Sequence, residues 1–236
     1  MSRLRICIVI PAYNEERVIS GTVLGALRAL SQSKYKYEVV VVNDSSTDNT
    51  SREAKKAGAT VIDHILNSGV GGATATGLGY ANQREYDIAA TMDADGQHDP
   101  KDILRGIDEI IARKSDLLIG SRIIHTSAKD MSLLKRVGNW GLSVITMLLF
   151  GVYTTDSQSG MRIYSRQALE NLRWRTSGYE FCSEMIWRAK QLGLKISEYP
   201  IQVIYTDYSK SKGQNNWNGV NILKSLLRRR LLEVFE

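Results

Sequence analysis

Ile88-Ala89-Ala90-Thr91-Met92 runs straight into Asp93-Ala94-Asp95-Gly96-Gln97-His98. A short uncharged run of this kind reads as a strand buried on both faces, the signature of the inside of a parallel sheet. Two carboxylates at its end, with Gly96 to permit a turn, call for a cation. Hard divalent ions such as Mg2+ or Mn2+ take oxygen ligands, commonly one or two carboxylates completed by the phosphates of a substrate. Two solvated turn aspartates are the alternative for such a pair taken alone.

Working outward, Leu4 to Ile10, Tyr37 to Val42, Ala59 to Asp63 and Asp116 to Gly120 are further β-rich runs. Between the five strands lie segments with helical spacing of apolar residues: Glu15 to Leu30, Thr47 to Ala57, Gly71 to Arg84 and Pro100 to Lys114. Right-handed crossovers turn this alternation into a doubly wound, parallel sheet, whose ligands bind beyond the carboxyl ends of the strands. The polar loops Pro11 to Glu16, Asn43 to Thr47, Asn67 to Gly72, Asp93 to His98 and Ser121-Arg122 fall there.

Each loop also has a structural explanation. Ser46 or Thr47 is expected to cap a helix, which leaves Asp44 as the ligand-facing residue. Asp99-Pro100-Lys101-Asp102 reads as cap, first-turn proline and capping-box acid. Asn67-Ser68-Gly69-Val70-Gly71-Gly72 has the look of a phosphate cradle but matches no phosphate-loop pattern, and its glycines serve close packing equally well.

The 236 residues carry 43% hydrophobic and 24% charged residues with a net charge of +6, the composition of a globular protein able to bury a large core. Cys7 and Cys182 are far apart in sequence and read as core residues of a protein in a reducing compartment. The apolar run before Pro11 is too short for a signal peptide or a span, so a cytosolic location is expected.

In order and spacing, Ile10-Pro11-Ala12-Tyr13-Asn14-Glu15-Glu16, Val42-Asn43-Asp44-Ser45-Ser46-Thr47-Asp48, Asn67 to Gly77, Asp93 to Gln97 and Gly120-Ser121-Arg122 resemble glycosyltransferase family 2. Asp156-Ser157-Gln158-Ser159-Gly160-Met161-Arg162, followed by Tyr179-Glu180-Phe181 and Glu184, resembles the dolichol- and polyprenyl-phosphate sugar synthases within it. The resemblance implies a GT-A fold, with a Rossmann-like nucleotide-binding half and helices on both faces of a mostly parallel sheet. Residues 1–122 would be the nucleotide-sugar half, 123–209 the acceptor half, and 210–236 a basic amphipathic extension.

Position by position, it implies that Pro11, Ala12, Tyr13, Glu15, Val42 and Asp44 surround the nucleoside. Asp93, Ala94 and Asp95 would span ribose, metal and diphosphate, with Gln97 completing a site for Mg2+ or Mn2+. Arg122 and Arg136 match arginines that meet phosphates, a role suited to a permanently charged fork. The family's arginine-glycine-serine-lysine segment is replaced by Tyr205 to Gln214, where Lys210 or Lys212 could substitute. Asp156 and Glu184 are the candidate bases, each of which could instead pair with Arg162 or Arg188.

The implied reaction is inverting transfer of a sugar from a GDP- or UDP-sugar to a polyprenyl or dolichyl phosphate. A lipid monophosphate, with a second pKa of ~6, is already ionised at neutral pH and needs no strong base. Transfer to a hydroxyl of a glycan, protein or small molecule is the alternative, and a non-catalytic nucleotide-sugar-binding or membrane-docking protein the second. No nucleotidyltransferase signature and no Q-x-x-R-W segment of a polymer synthase is found.

Val137 to Thr155 is uncharged, but its solid apolar part, Leu142 to Tyr153, suits a helix lying on a membrane rather than crossing it. From Lys210 onward six Lys or Arg face two Glu, so the excess positive charge sits at the end. Val220 to Phe235 alternates apolar and basic positions as a membrane-surface, packing or dimer helix would. No nucleic-acid motif accompanies the charge. The protein is thus expected on the cytosolic membrane surface, with its oligomeric state unassigned.

Overall fold

The computed structural model describes residues 3–124 and 133–204, without the side chains of residues 133–137 and 139. Strand and helix alternate through β1 (Arg5–Ala12), α1 (Ile19–Ser31), β2 (Lys36–Asn43), α2 (Thr50–Lys56), β3 (Thr60–Asp63), α3 (Gly69–Gln83), β4 (Ile88–Thr91), α4 (Pro100–Arg113) and β5 (Leu117–Ser121). Then follow α5 (Leu133–Phe150), β6 (Arg162–Ser165), α6 (Arg166–Asn171), α7 (Phe181–Gln191) and β7 (Ile196–Pro200).

The period of two along each strand splits the core into two layers. Ile6, Ile8 and Ile10 pack with Val23, Ile103 and Ile107 of α1 and α4. Cys7 and Val9 point the other way, into a cluster with Ala73 of α3 and Met185 and Ile186 of α7. Each such side chain stabilises the fold by about 2 kcal/mol as it leaves water. Cys7 and Cys182 are both buried and free.

The seven strands form one sheet in the order β3-β2-β1-β4-β6-β5-β7. Only β6 runs antiparallel to its neighbours, β4 and β5. This is the expected mostly parallel sheet with helices on both faces. β6 and β7 are absent from the strands the sequence predicts, because one opens with Arg162 and the other mixes Ser197, Glu198 and Pro200 into five residues.

The reversed strand has a spatial effect. Arg162 at its start pairs with Thr91 at the end of β4, so the segment Asp156–Met161 enters the sheet at the edge where Asp93 sits. β7 ends at the same edge, with Pro200 beside Ser121. The residues after it lie across the Asp93–His98 loop: Gln202 N–H donates to Asp102 Oδ2 at 2.6 Å, Val203 bridges to His98, and Ile204 N–H donates to the Gln97 carbonyl at 2.8 Å.

Local corrections follow from hydrogen bonding. α1 begins at Ile19 rather than Glu15, because residues 14–16 are stitched to the β2–α2 loop. Asn14 N–H donates to Ser46 Oγ at 2.9 Å, Glu15 N–H to Thr50 Oγ1 at 2.7 Å and Glu16 N–H to Asp48 Oδ2 at 3.1 Å. Ser46 and Thr47 therefore cap nothing; Thr47 N–H donates to Asn14 Oδ1 at 2.8 Å, and α2 starts at Thr50. Asp99 does cap α4, accepting from Lys101 N–H at 2.9 Å. Asp102 closes no capping box, since its carboxylate holds Gln202 and Arg105 instead.

α5 has an inverted character. Its inward Ser143 and Thr146 are buried, Thr146 Oγ1 lying 2.9 Å from Ser183 Oγ, whereas Trp140 is 59% and Leu148 73% exposed. Among the described residues no helix is long and apolar enough to cross a membrane.

Candidate active site

Strand β4 delivers Asp93 and Asp95 to the sheet edge, and Gly96, at φ +75°, turns the chain back. Gln97 N–H donates to Asp95 Oδ1 at 2.9 Å. His98, itself buried, places Nε2 3.0 Å from Asp93 Oδ2, while 44% of the Asp93 side chain stays accessible.

The two carboxylates have opposite electrostatics. Burial pushes Asp93 upward, but the His98 hydrogen bond and the charges of Arg122 and Arg162 more than offset it, so its pKa lies below the usual value. Burial, then the charge of Asp93, push Asp95 up to about 6. An ionised Asp95 beside an ionised Asp93 is thus a repulsive pair that a divalent cation would relieve.

Among the described residues no three His, Cys, Asp or Glu side chains form a ready-made cage. Two carboxylates and the Gln97 amide oxygen, all hard oxygen donors, fit instead a Mg2+ or Mn2+ half-site that a ligand's phosphates complete.

Beside this pair stands a buried ion pair. Arg122 Nε donates to Asp156 Oδ2 at 2.6 Å, its Nη2 to Oδ1 at 2.7 Å and its backbone N–H to Oδ2 at 3.1 Å. Asp156 is 0% exposed. Its loop is fixed from behind by Glu198, whose Oε1 accepts from Thr155 N–H and Oγ1, both at 2.8 Å. Arg162 is also buried, donating to the carbonyls of Ser157, Ser159 and Cys182 at 2.8 to 3.0 Å, and thereby shapes the 157–160 turn.

That turn places Gly160 under Asp93: a Cβ there would lie 2.2 Å from Asp93 Oδ1. Gly160→Ala must therefore displace the carboxylate. Since a misplacement of ~1 Å can lower a rate ~100-fold, we expect a comparable fall in turnover with little change in far-UV circular dichroism; wild-type kinetics would contradict the placement.

At the other end of the edge, Tyr13 is exposed and Asp44 is 3% exposed. Asp44 N–H donates to the Ala12 carbonyl at 2.9 Å, and its Oδ1 accepts from Ser68 N–H, Ser68 Oγ and His64 Nδ1, each at 2.8 Å. Burial raises the Asp44 pKa, but these donors outweigh it and hold it below the usual range. The glycines of the next loop serve packing: Cβ atoms at Gly69 and Gly71 would meet the carbonyls of Ser177 and Thr176 at 2.5 and 2.6 Å.

Of the residues expected at the site, Asp93, Asp95, Gln97, Arg122 and Asp156 come together, with Glu15 close enough for its charge to act on Asp95. Pro11, Tyr13 and Asp44 lie at the ends of β1 and β2, where the resemblance places the nucleoside. Ala12, Val42 and Ala94 have their side chains in the core and can offer a ligand only main chain. Glu184 is 0% exposed and accepts from Arg175 and Thr176 N–H at 2.9 to 3.2 Å, the environment of a loop anchor rather than a base. Lys210, Lys212 and the side chain of Arg136 lie outside the described residues. His98 and Arg162 are the contributors that sequence reasoning did not assign. The one visible signal for His98 was its place five residues after Asp93.

Residues 7–173 match the family model described as glycosyl transferase family 2. An uncharacterized protein of Methanocaldococcus jannaschii is 44% identical over 96% of this chain and 92% of its own. A UDP-N-acetylglucosamine–dolichyl-phosphate N-acetylglucosaminyltransferase of Methanococcus voltae is 42% identical over 98% of each. Glucosyl-3-phosphoglycerate synthase of Mycobacterium tuberculosis, solved with Mn2+, UDP and glucosyl-3-phosphoglycerate, superposes with a TM-score of 0.69 at 20% identity, over 98% of this chain and 80% of that one.

Proposed function

The chain belongs to glycosyltransferase family 2, and from that premise we propose that it transfers a sugar from a UDP- or GDP-sugar to a polyprenyl or dolichyl phosphate, with inversion, at the cytosolic membrane surface. The observation that carries this reading is the repulsive carboxylate pair Asp93 and Asp95 beside the guanidinium of Arg122, a half-site for a cation and a diphosphate. When bound, Mg2+ or Mn2+ would neutralise charge on the departing diphosphate.

The chain's own residues do the rest. Asp93 and Asp95, with Gln97, would hold that cation at the diphosphate end of the donor. Arg122, oriented by Asp156, places its positive charge toward phosphate oxygen, an attraction that strengthens as negative charge develops. Asp44 and the end of β1 hold the nucleoside. No strong base is required of this arrangement, because a phosphomonoester is already a nucleophilic anion at neutral pH. The burial of Asp156 against Arg122 and of Glu184 against the 175–176 backbone agrees with that requirement.

The lipid acceptor is supported by the Methanococcus relative, and membrane contact by the outward Trp140 and Leu148 of α5 and the basic extension. The test supplies UDP- and GDP-sugars with Mn2+ to vesicles containing polyprenyl phosphate and follows sugar incorporation into lipid. We expect lipid-phosphate-dependent transfer; equal transfer to a water-soluble hydroxyl without lipid would sink this acceptor.

A further inference from the structure

Where α6 ends beside α7 the chain forms an open groove of about 320 Å3, whose lining includes Arg173, Trp174, Arg175, Arg188 and Leu192. None of these residues belongs to the candidate active site. Among the described residues the lining contains no Asp or Glu. Glu184, whose Oε1 lies 3.8 Å from Arg188 Nε, offsets one of the three positive charges and leaves the groove basic. Its walls are fixed. Arg173 Nη1 donates to the carbonyls of Leu169 and Leu172 at 3.0 and 2.8 Å. Arg188 Nη1 donates to Gln191 Oε1 at 2.9 Å, and its guanidinium carbon lies 4.4 Å from the centre of the Trp187 ring. Trp174 Nε1 donates to the Gly71 carbonyl at 3.1 Å, which ties the wall between Arg173 and Arg175 to α3. Guanidinium forks gathered in this way suit the oxygens of a phosphate.

The neighbouring surface decides which phosphate. Phe150 of α5 stacks on Trp187 with ring centroids 5.2 Å apart, and Lys190 Nζ donates to the Gly151 carbonyl at 2.9 Å, so the groove continues into the end of α5. Leu148 and Tyr153 are exposed there, and Leu192 is exposed on the rim of the groove itself. Apolar side chains beside fixed positive charge suit a bilayer that carries anionic headgroups, whereas a free anion has no use for them. We propose that this groove binds the phosphate of an anionic membrane lipid, a second phosphate site that seats the protein on the bilayer through α5 and α7. The inference rests on the membrane-surface reading above and adds to it the residues and the lipid charge that seating requires.

The measurement is flotation of the full chain with vesicles of phosphatidylcholine, alone or mixed with phosphatidylglycerol. Wild type should favour the mixed vesicles. An arginine near an anionic surface changes binding ~5-fold, so Arg173→Gln with Arg175→Gln should weaken binding to the mixed vesicles roughly 25-fold and leave binding to phosphatidylcholine alone unchanged. Arg173→Lys with Arg175→Lys keeps the charge without the fork and should fall between. The control, Arg28→Gln with Arg52→Gln, removes the same charge from α1 and α2, which cover the other layer of the sheet, and should bind like wild type. Transfer to polyprenyl phosphate dispersed in neutral detergent should keep its wild-type rate in all three variants.

If the glutamine pair does not fold, Leu192→Glu sets a negative charge on the rim and should weaken the same binding. Loss of binding equal to that of the control pair would assign the effect to net charge and overturn the inference, as would mixed-vesicle binding unchanged by the Arg173 and Arg175 substitutions. Wild type that binds both vesicles equally but takes up inorganic phosphate in calorimetry, with the glutamine pair unable to, would make the groove a site for a free anion and likewise overturn it. Wild type that binds both equally without that uptake overturns the groove alone. Wild type that floats with neither vesicle overturns the membrane-surface reading together with this inference.

Discussion

Asp95→Asn should lose sugar transfer by at least ~1000-fold, the scale of removing a main electrostatic contributor to a transition state, and should nevertheless be more heat-stable than the parent at pH 7 in cation-free buffer. Both effects come from one carboxylate. Burial and the charge of Asp93 raise its pKa from 3.8 to about 6, so the fold disfavours its ionised form.

A raised acid contributes stability below its unfolded value and loses it as the pH rises through its folded value. At pH 7 the ionised group costs on the order of 3 kcal/mol, which the amide avoids. The gain in Tm should therefore shrink between pH 6 and pH 4 and vanish below. Mn2+ with nucleoside diphosphate should stabilise wild type at pH 7.5 and progressively less as the pH falls through 6, because proton and cation compete for the same oxygens. Retention of Mn2+-dependent turnover by Asp95→Asn would refute the assignment of the cation.

Arg122→Ala should act on both stability and rate. Asp156 is fully buried, and the Arg122 guanidinium donates to both oxygens of its carboxylate. Removing one member of such a pair leaves an uncompensated charge and costs about 3–5 kcal/mol, which for a domain of this size lowers Tm by about 10 °C. Arg122→Lys keeps the charge but not the fork, so it should recover only part of the stability. The double variant Arg122→Leu with Asp156→Leu should be more stable than Arg122→Ala while remaining inactive, because no buried charge is left. If instead Arg122→Ala melts like wild type, the ion pair does not hold the site.

Much of this was legible before any coordinates. The first five strands announce themselves because each is an apolar run closed by a polar turn, and the carboxyl-end rule then brings their loops together. What was hidden has specific causes. β6 is held by neighbours on both sides rather than by its own four residues, and its first residue is a buried arginine that bonds the carbonyls of Ser157, Ser159 and Cys182. That the Val42 side chain lies in the core is hidden because a strand buried on both faces shows no alternation. Ala94, between two aspartates, follows the alternation and points to the core. Asp102 had the spacing of a capping box, but its acceptor was taken by Gln202, a hundred residues away. His98 could be seen and not understood, since only the turn at Gly96 brings its ring back onto Asp93.

The pairing of residues 202–204 with α4 and the Asp93–His98 loop sets a boundary for dissecting the chain. A shortened protein meant to isolate the role of the basic extension has to be cut after Ile204. Cut at the end of β7, the protein would also lose the partners of Gln97 and Asp102, and an inactive fragment would then report damage to the catalytic loop rather than the absence of a membrane anchor.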